Sequence, residues 1–169
     1  MPPFSGGNRI GHSSPHKNKM IKEKIMTIRE ENRDLFTVPQ GYYLAHCITA
    51  DCSLGAGVAK KIDEVYNMRE KLIKTYDLGF GLSDYIGNVL TIDNVYNLVL
   101  KKYPQKKAKY KKLRACLEDM KDEMDTNLVT KVAMPKIGCG HEGLEWDRVR
   151  EIIEEVFEDT DVEILVCSL

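Results

Sequence analysis

Ile137-Gly138-Cys139-Gly140-His141-Glu142-Gly143 is a glycine-rich loop set between a strand-like apolar run, Val129–Met134, and a helix-like run that starts near Glu145. Glycine admits φ > 0 and close approach of the main chain to a ligand, and a helix N-terminus beyond it adds unpaired N–H donors and roughly half a positive charge. Working outward, a second loop of the same kind, Leu54-Gly55-Ala56-Gly57-Val58-Ala59, follows another apolar run, Tyr43–Ile48. One such loop is explained by turn geometry alone. Two of them predict a clamp on a diphosphate.

Further strand-like runs lie at Ile25–Arg29, Tyr85–Ile92, Val95–Leu100 and Val162–Cys167, rich in Val, Ile, Tyr and Leu. Helical spacing fills gaps between them. Val149, Ile152, Ile153, Val156 and Phe157 fall on one face while Glu151, Glu154, Glu155 and Glu158 face outward, the pattern of a surface helix with a core-facing stripe. Leu113, Cys116, Leu117, Met120 and Met124 form a similar stripe on a helix expected from about Lys106 to Glu123. Asp93-Asn94 is a plausible tight turn joining two antiparallel strands. The expected fold class is α/β, a mixed sheet of about six strands between helical layers. Such sheets bind ligands beyond the carboxyl ends of their strands, where both glycine loops emerge.

At 169 residues the chain has the size of one domain. Residues 1–22, rich in Pro, Gly, Ser, Asn, His and Lys, read as a disordered arm or an expression leader with a second start at Met20 or Met26, leaving 23–169 as the folded unit. The 25 basic and 26 acidic residues nearly cancel, so no global charge argues for nucleic acid. No apolar stretch approaches the roughly 18 residues of a membrane helix, and the five cysteines show no Cys-x-x-Cys spacing. The expectation is a protein of a reducing cytoplasm or nucleus, with no membrane partner and no need of more than a monomer.

Gly138, Gly140 and Gly143 satisfy Gly-x-Gly-x-x-Gly, but a dinucleotide fingerprint opens a βαβ unit with more parallel strands after it, and here one strand remains. His46, Cys47, Cys52, Cys139 and His141 could be imagined around zinc; their spacing is wrong for structural zinc, and packing beside strands accounts for them, so no metal or cofactor is expected. From Lys101 to Arg114 there are eight basic residues with Tyr103 and Tyr110 interleaved. Most read as a solvated face, with weak poly-anion attraction by Lys102–Lys112 a secondary possibility. Lys101 differs because it ends a strand near the expected crevice. A partly desolvated amine there could act as a nucleophile toward a sugar carbon, although the sequence alone places it in solvent.

Asp34-Leu35-Phe36, Ala45-His46-Cys47-Ile48-Thr49-Ala50-Asp51-Cys52, Gly55-Ala56-Gly57-Val58-Ala59, Met134-Pro135-Lys136-Ile137-Gly138-Cys139-Gly140 and Leu144-Glu145-Trp146, in this order, resemble a macrodomain. The resemblance runs from about Ile25 to Leu169 and is strongest to the terminal ADP-ribose protein glycohydrolase branch. It implies a three-layer sandwich and an ADP-ribose site. Asp34 would accept from the adenine amino group, with Leu35 and Leu169 beside the base. Ile48, Thr49, Leu54, Gly55, Gly57 and Val58 would contact diphosphate and distal ribose. Pro135, Ile137, Gly138, Cys139, Gly140 and His141 would form the opposing phosphate wall.

In that branch a lysine attacks the anomeric carbon of the distal ribose and releases the modified carboxylate, and an acidic residue of the second loop assists. The resemblance assigns these roles to Lys101 and Glu142. Glu142 stands where the branch has aspartate, and Leu100 where it has threonine. The implied partner is ADP-ribose or an ADP-ribosylated protein. Alternatives within the same chemistry are deacetylation of O-acetyl-ADP-ribose, removal of phosphate from ADP-ribose 1″-phosphate, or binding without turnover.

Overall fold

A computed structural model describes residues 24–77 and 79–169. The proposed arm lies outside the described residues. Six strands, β1 (Thr27–Asn32), β2 (Tyr43–Thr49), β3 (Val89–Ile92), β4 (Val95–Lys101), β5 (Lys131–Met134) and β6 (Glu163–Ser168), form one sheet in the order β1-β6-β5-β2-β4-β3. Every pairing is parallel except β3 with β4. The sheet is therefore mixed, as the sequence predicts.

Four helices cover it: α1 (Gly57–Tyr66), α2 (Met68–Tyr76), α3 (Tyr110–Thr126) and α4 (Trp146–Phe157). Side chains alternate along each strand, so one sequence feeds two cores. Tyr96, Leu98, Val132, Met134, Ile164 and Val166 pack with the stripes of α3 and α4. Leu44, Ile48, Val95, Val99, Leu165 and Cys167 pack on the other face with Ile62 of α1 and Met68 and Leu72 of α2. Both predicted helical stripes are buried in full. This is the three-layer sandwich.

Two boundaries differ notably from the sequence reading. The run Tyr85–Ile92 is strand only from Val89, because Ser83–Tyr85 is a short 3-10 turn and Gly87 takes a positive φ of 94°. Helix α3 starts at Tyr110, later than Lys106, since the loop before it is drawn toward the glycine loop, with Ala108 N–H donating to the Glu142 carbonyl at 3.4 Å. The tight turn between β3 and β4 is present, with Asp93 in the left-handed region at φ 52°.

The topology positions the site. β1, β6, β5, β2 and β4 are mutually parallel, so all five end on one edge. Along that edge lie, in order, Asp34, Leu169, Pro135, Thr49 and Lys101, over about 19 Å for four interstrand steps of roughly 4.8 Å.

Candidate functional site

The turn after β2 is built from local hydrogen bonds. Asp51 accepts from the Thr49 hydroxyl at 2.6 Å and from Ser53 N–H at 3.2 Å, and Arg69 Nε of α2 donates to the Cys52 carbonyl at 2.9 Å. Cys52 and Leu54 sit at φ 59° and 41°, left-handed conformations that non-glycine residues adopt only where the surroundings impose them. Ala56 is the N-cap of α1 and offers no capping side chain. Among the described residues, no protein acceptor takes the N–H groups of Gly55, Ala56 or Gly57. An uncapped helix start with free amides is a receptor for an anion.

The second loop is braced differently. Leu144 N–H donates to the Gly138 carbonyl at 2.8 Å, Cys139 N–H to Lys136 at 3.2 Å and Gly143 N–H to Gly140 at 3.2 Å. Gly138 needs to be glycine twice over: its φ is 74°, and a Cβ there would meet Leu144 Cδ1 at 2.9 Å. The N–H groups of Gly140, His141 and Glu142 likewise have no protein acceptor among the described residues.

The two loops open onto one cleft of about 480 Å³, lined by Ile48, Thr49, Leu54, Gly55, His141 and Glu142 from the sequence reading. Cys47, Ser53, Ala56, Ala59, Pro104 and Gln105 complete the wall. Sequence reasoning missed these six. Cys47, Ala56 and Ala59 belong to the motifs named above and Ser53 lies between two of them, but Pro104 and Gln105 carry no signal, because their place depends on how the loop after β4 folds.

Other predicted residues lie beside the cleft. Gly57 and Val58 form the first turn of α1, with Val58 packed on the core that holds Leu35 and Ile48. Pro135, Ile137, Gly138, Cys139 and Gly140 carry the chain from β5 up to His141. Asp34 and Leu35 stand at the far end of the edge, where Asp34 Oδ1 accepts from Phe36 N–H at 2.9 Å and Leu35 is buried. Arg33 N–H donates to the Ser168 carbonyl, tying this turn to the end of β6. Leu169, 91% exposed, stands free there.

Lys101 is the main correction. It is 5% exposed, not solvated, and its Nζ donates to the carbonyls of Pro104 at 3.0 Å and Lys106 at 2.7 Å. Its strand lies between β2 and β3, and the following loop folds back over the amine. The register of β4 slips against β2 so that Thr49 faces Lys101 while Ile48 faces Val99, a bulge that re-aims the side chain. Glu142 Oε2 lies 3.9 Å from Lys101 Nζ and is 28% exposed, so it reaches both the amine and the cleft.

The nearby sulfur atoms are quiet. Burial pushes the Cys47 thiol well above its ordinary value, reinforced by Cys116 and Glu142, and pushes Cys139 and Cys52 up to about 11. Protonated thiols are neither nucleophiles nor ready metal ligands. His46 is buried in the sheet, its Nε2–H donating to Asn97 Oδ1 at 2.6 Å, and burial lowers its pKa to about 4. Among the described residues, no group of three His, Cys, Asp or Glu is placed to hold a metal.

A three-layer α/β sandwich whose carboxyl edge carries two amide-rich loops around one cleft has the geometry to receive an anion. A family model described as Macro domain matches residues 86–153. ADP-ribose glycohydrolase OARD1 of Bos taurus is 41% identical over 142 residues, 80% of this chain and 88% of that protein. The chain belongs to the macrodomain family. Among solved structures, the macrodomain of Thermus aquaticus DarG superposes with a TM-score of 0.74 at 21% identity, over 85% of this chain and 99% of that one. Thermosipho africanus DarTG in complex with ADP-ribose gives 0.61 at 14% identity, over 83% of this chain and 41% of that one. The dinucleotide reading of Gly138-x-Gly140-x-x-Gly143 falls away with membership of the macrodomain family.

Proposed function

We propose that this protein is an ADP-ribose glycohydrolase that releases ADP-ribose from carboxylate side chains of proteins, with Lys101 as nucleophile and Glu142 as acid/base. The carrying observation is that Glu142, which lines the cleft walled by both glycine loops, brings its Oε2 within 3.9 Å of the Lys101 Nζ buried behind it. Relatives named ADP-ribose glycohydrolase at about 40% identity support the class of reaction. In this reading free amides of Gly55–Gly57 and Gly140–Glu142 grip the diphosphate, each charge-assisted bond contributing about 1.5–3 kcal/mol. Asp34 takes the adenine amino group at the other end of the edge.

The chemistry follows from the pair. Substrate entry draws Lys101 away from its carbonyl acceptors, and Glu142 takes a proton from the amine. Nζ then attacks the anomeric carbon of the distal ribose. The bond from that carbon to the ester oxygen breaks and the protein carboxylate leaves with the electron pair. Glu142 next guides a water to the same carbon, which cleaves the carbon–nitrogen bond, returns the amine and frees ADP-ribose. The longer side chain of glutamate fits this task where Lys101 is set back behind its loop, since a misplacement of about 1 Å costs on the order of a hundredfold in rate.

The test is incubation of Glu-linked ADP-ribosylated protein with wild type, Lys101→Ala and Glu142→Ala. Release by wild type, none by Lys101→Ala and slow release by Glu142→Ala is expected; equal release by all three removes the mechanism. O-acetyl-ADP-ribose and ADP-ribose 1″-phosphate run alongside separate the related hydrolyses. One observation favours binding without turnover, namely that both carbonyls hold the amine away from the cleft. Tight calorimetric binding of ADP-ribose with no turnover of any of the three substrates would select that reading.

A further inference from the structure

Between Asp93 and Glu118 the chain has no acidic residue, yet it carries Lys102, Lys106, Lys107, Lys109, Lys111 and Lys112, all exposed. Among the described residues none of these six is ion-paired, whereas nine ion pairs involve other residues or the buried Lys101. Three of the six sit where a helix disfavours them. Lys109 is the N-cap of α3, without a capping bond, Lys111 and Lys112 follow in its first turn, and no acidic residue offsets them. Cations at a helix N-terminus oppose the macrodipole, so this arrangement sacrifices stability and calls for an anion from outside. The same loop touches the cleft through Pro104 and Gln105.

We propose that Lys102–Lys112 is a docking surface for an acidic peptide, the segment of the substrate protein that flanks the modified side chain. The inference rests on the glycohydrolase reading, which makes a carboxylate-bearing peptide the group that leaves the cleft past Pro104 and Gln105. Lys102 and Lys106 flank Pro104 and Gln105 in the chain, so a peptide leaving there passes them, and Asp and Glu residues in it would complement them. A nucleic acid fits less well because the aromatic faces it would stack on are engaged. The Lys102 amine lies 5.4 Å from the centre of the Tyr103 ring, and Tyr110 is packed against the core beneath α3 and α4.

The experiment uses two fluorescent peptides of equal length carrying one ADP-ribosylated glutamate, flanked by Asp and Glu in one and by Ser and Ala in the other. Affinity by anisotropy and kcat and KM for release are measured for wild type and Lys102→Glu/Lys107→Glu, with free ADP-ribose and a single-stranded RNA as further ligands. Three exposed charge pairs predict about a tenfold preference for the acidic peptide, seen in affinity and KM and not in kcat. The preference should vanish at high salt and in the double variant, which keeps its affinity for free ADP-ribose. Equal affinity and equal KM for the two peptides overturns the proposal, as does tight RNA binding lost in the double variant without any peptide preference. Failure of the underlying reading looks different: neither peptide is cleaved, while a preference in anisotropy would still uphold the docking surface.

Discussion

Gly138 holds φ 74° with Leu144 Cδ1 2.9 Å from where a Cβ would stand, so one methyl group is both strained and obstructed. Gly138→Ala is expected to lower stability by about 1–3 kcal/mol, read as a lower urea midpoint, and to weaken ADP-ribose binding by tilting the loop. His46 makes a different kind of statement. Its folded pKa of about 4 lies below the ordinary 6.5, so the unfolded chain takes up a proton first as pH falls. Stability is then complete above pH 6.5 and declines down to pH 4, by roughly 3 kcal/mol if this group acts alone. The carboxylates of Glu30, Asp77 and Asp159 are also held below their usual range, by Trp146 and Arg150, by the Gly81 and Gly79 amides and by Lys121 respectively, and their loss falls lower, beneath about pH 4.5. Urea titrations at pH 7.5, 5.5 and 4.0 should show the early decline in wild type and a flatter profile in His46→Leu. An identical slope in both would deny His46 this role.

At the scale of elements, the uncapped start of α1 is informative. The Ala56 backbone is extended, at φ −151° and ψ 158°, as an N-cap requires, so the absence of a capping side chain leaves amides open. Ala56→Asp should supply the cap, stabilising the fold by about 0.5–2 kcal/mol while cutting ADP-ribose affinity, because a carboxylate now occupies the anion's place. Calorimetry and urea unfolding on the same variant read both effects, and unchanged affinity would argue that α1 does not face the ligand. The elements themselves were largely legible in the sequence. The α3 and α4 stripes follow a 3.6-residue period that buries one face, and Val95–Leu100 alternates between two cores, so periodicity was sufficient. Tyr85–Ile92 misled because Tyr85 and Ile86 have strand-like side chains while Gly87 breaks the backbone; local turn chemistry outweighed propensity there. Half of the cleft wall was legible for the same reason that glycine loops are. Pro104 and Gln105 were not, because only tertiary packing brings the loop after β4 across to the second glycine loop.

For the molecule as a whole, parallel strands gather distant parts of the chain onto one edge. Asp34 and Glu142 are more than a hundred positions apart, yet both sit at the carboxyl ends of strands in one sheet. Charge is gathered too. The chain is near neutral, but its lysines cluster between Lys101 and Lys112 while α4 turns Glu151, Glu154 and Glu155 outward, with Glu158 at its C-cap, on a different element. The molecule therefore presents unlike faces, and a positive one borders the cleft.

Seen as a population of amines, this cluster holds six that meet solvent and a seventh, Lys101, whose nitrogen is sheltered by Pro104 and Lys106. A sparing dose of an acylating reagent, followed by peptide mass mapping, should mark Lys102, Lys107 and Lys111 early and Lys101 last. Modification of Lys101 in step with its neighbours would mean that the shelter is open for much of the time. The residue proposed to react with a sugar carbon is thus the one most reticent toward every other electrophile, which protects it from adventitious chemistry between encounters with its substrate.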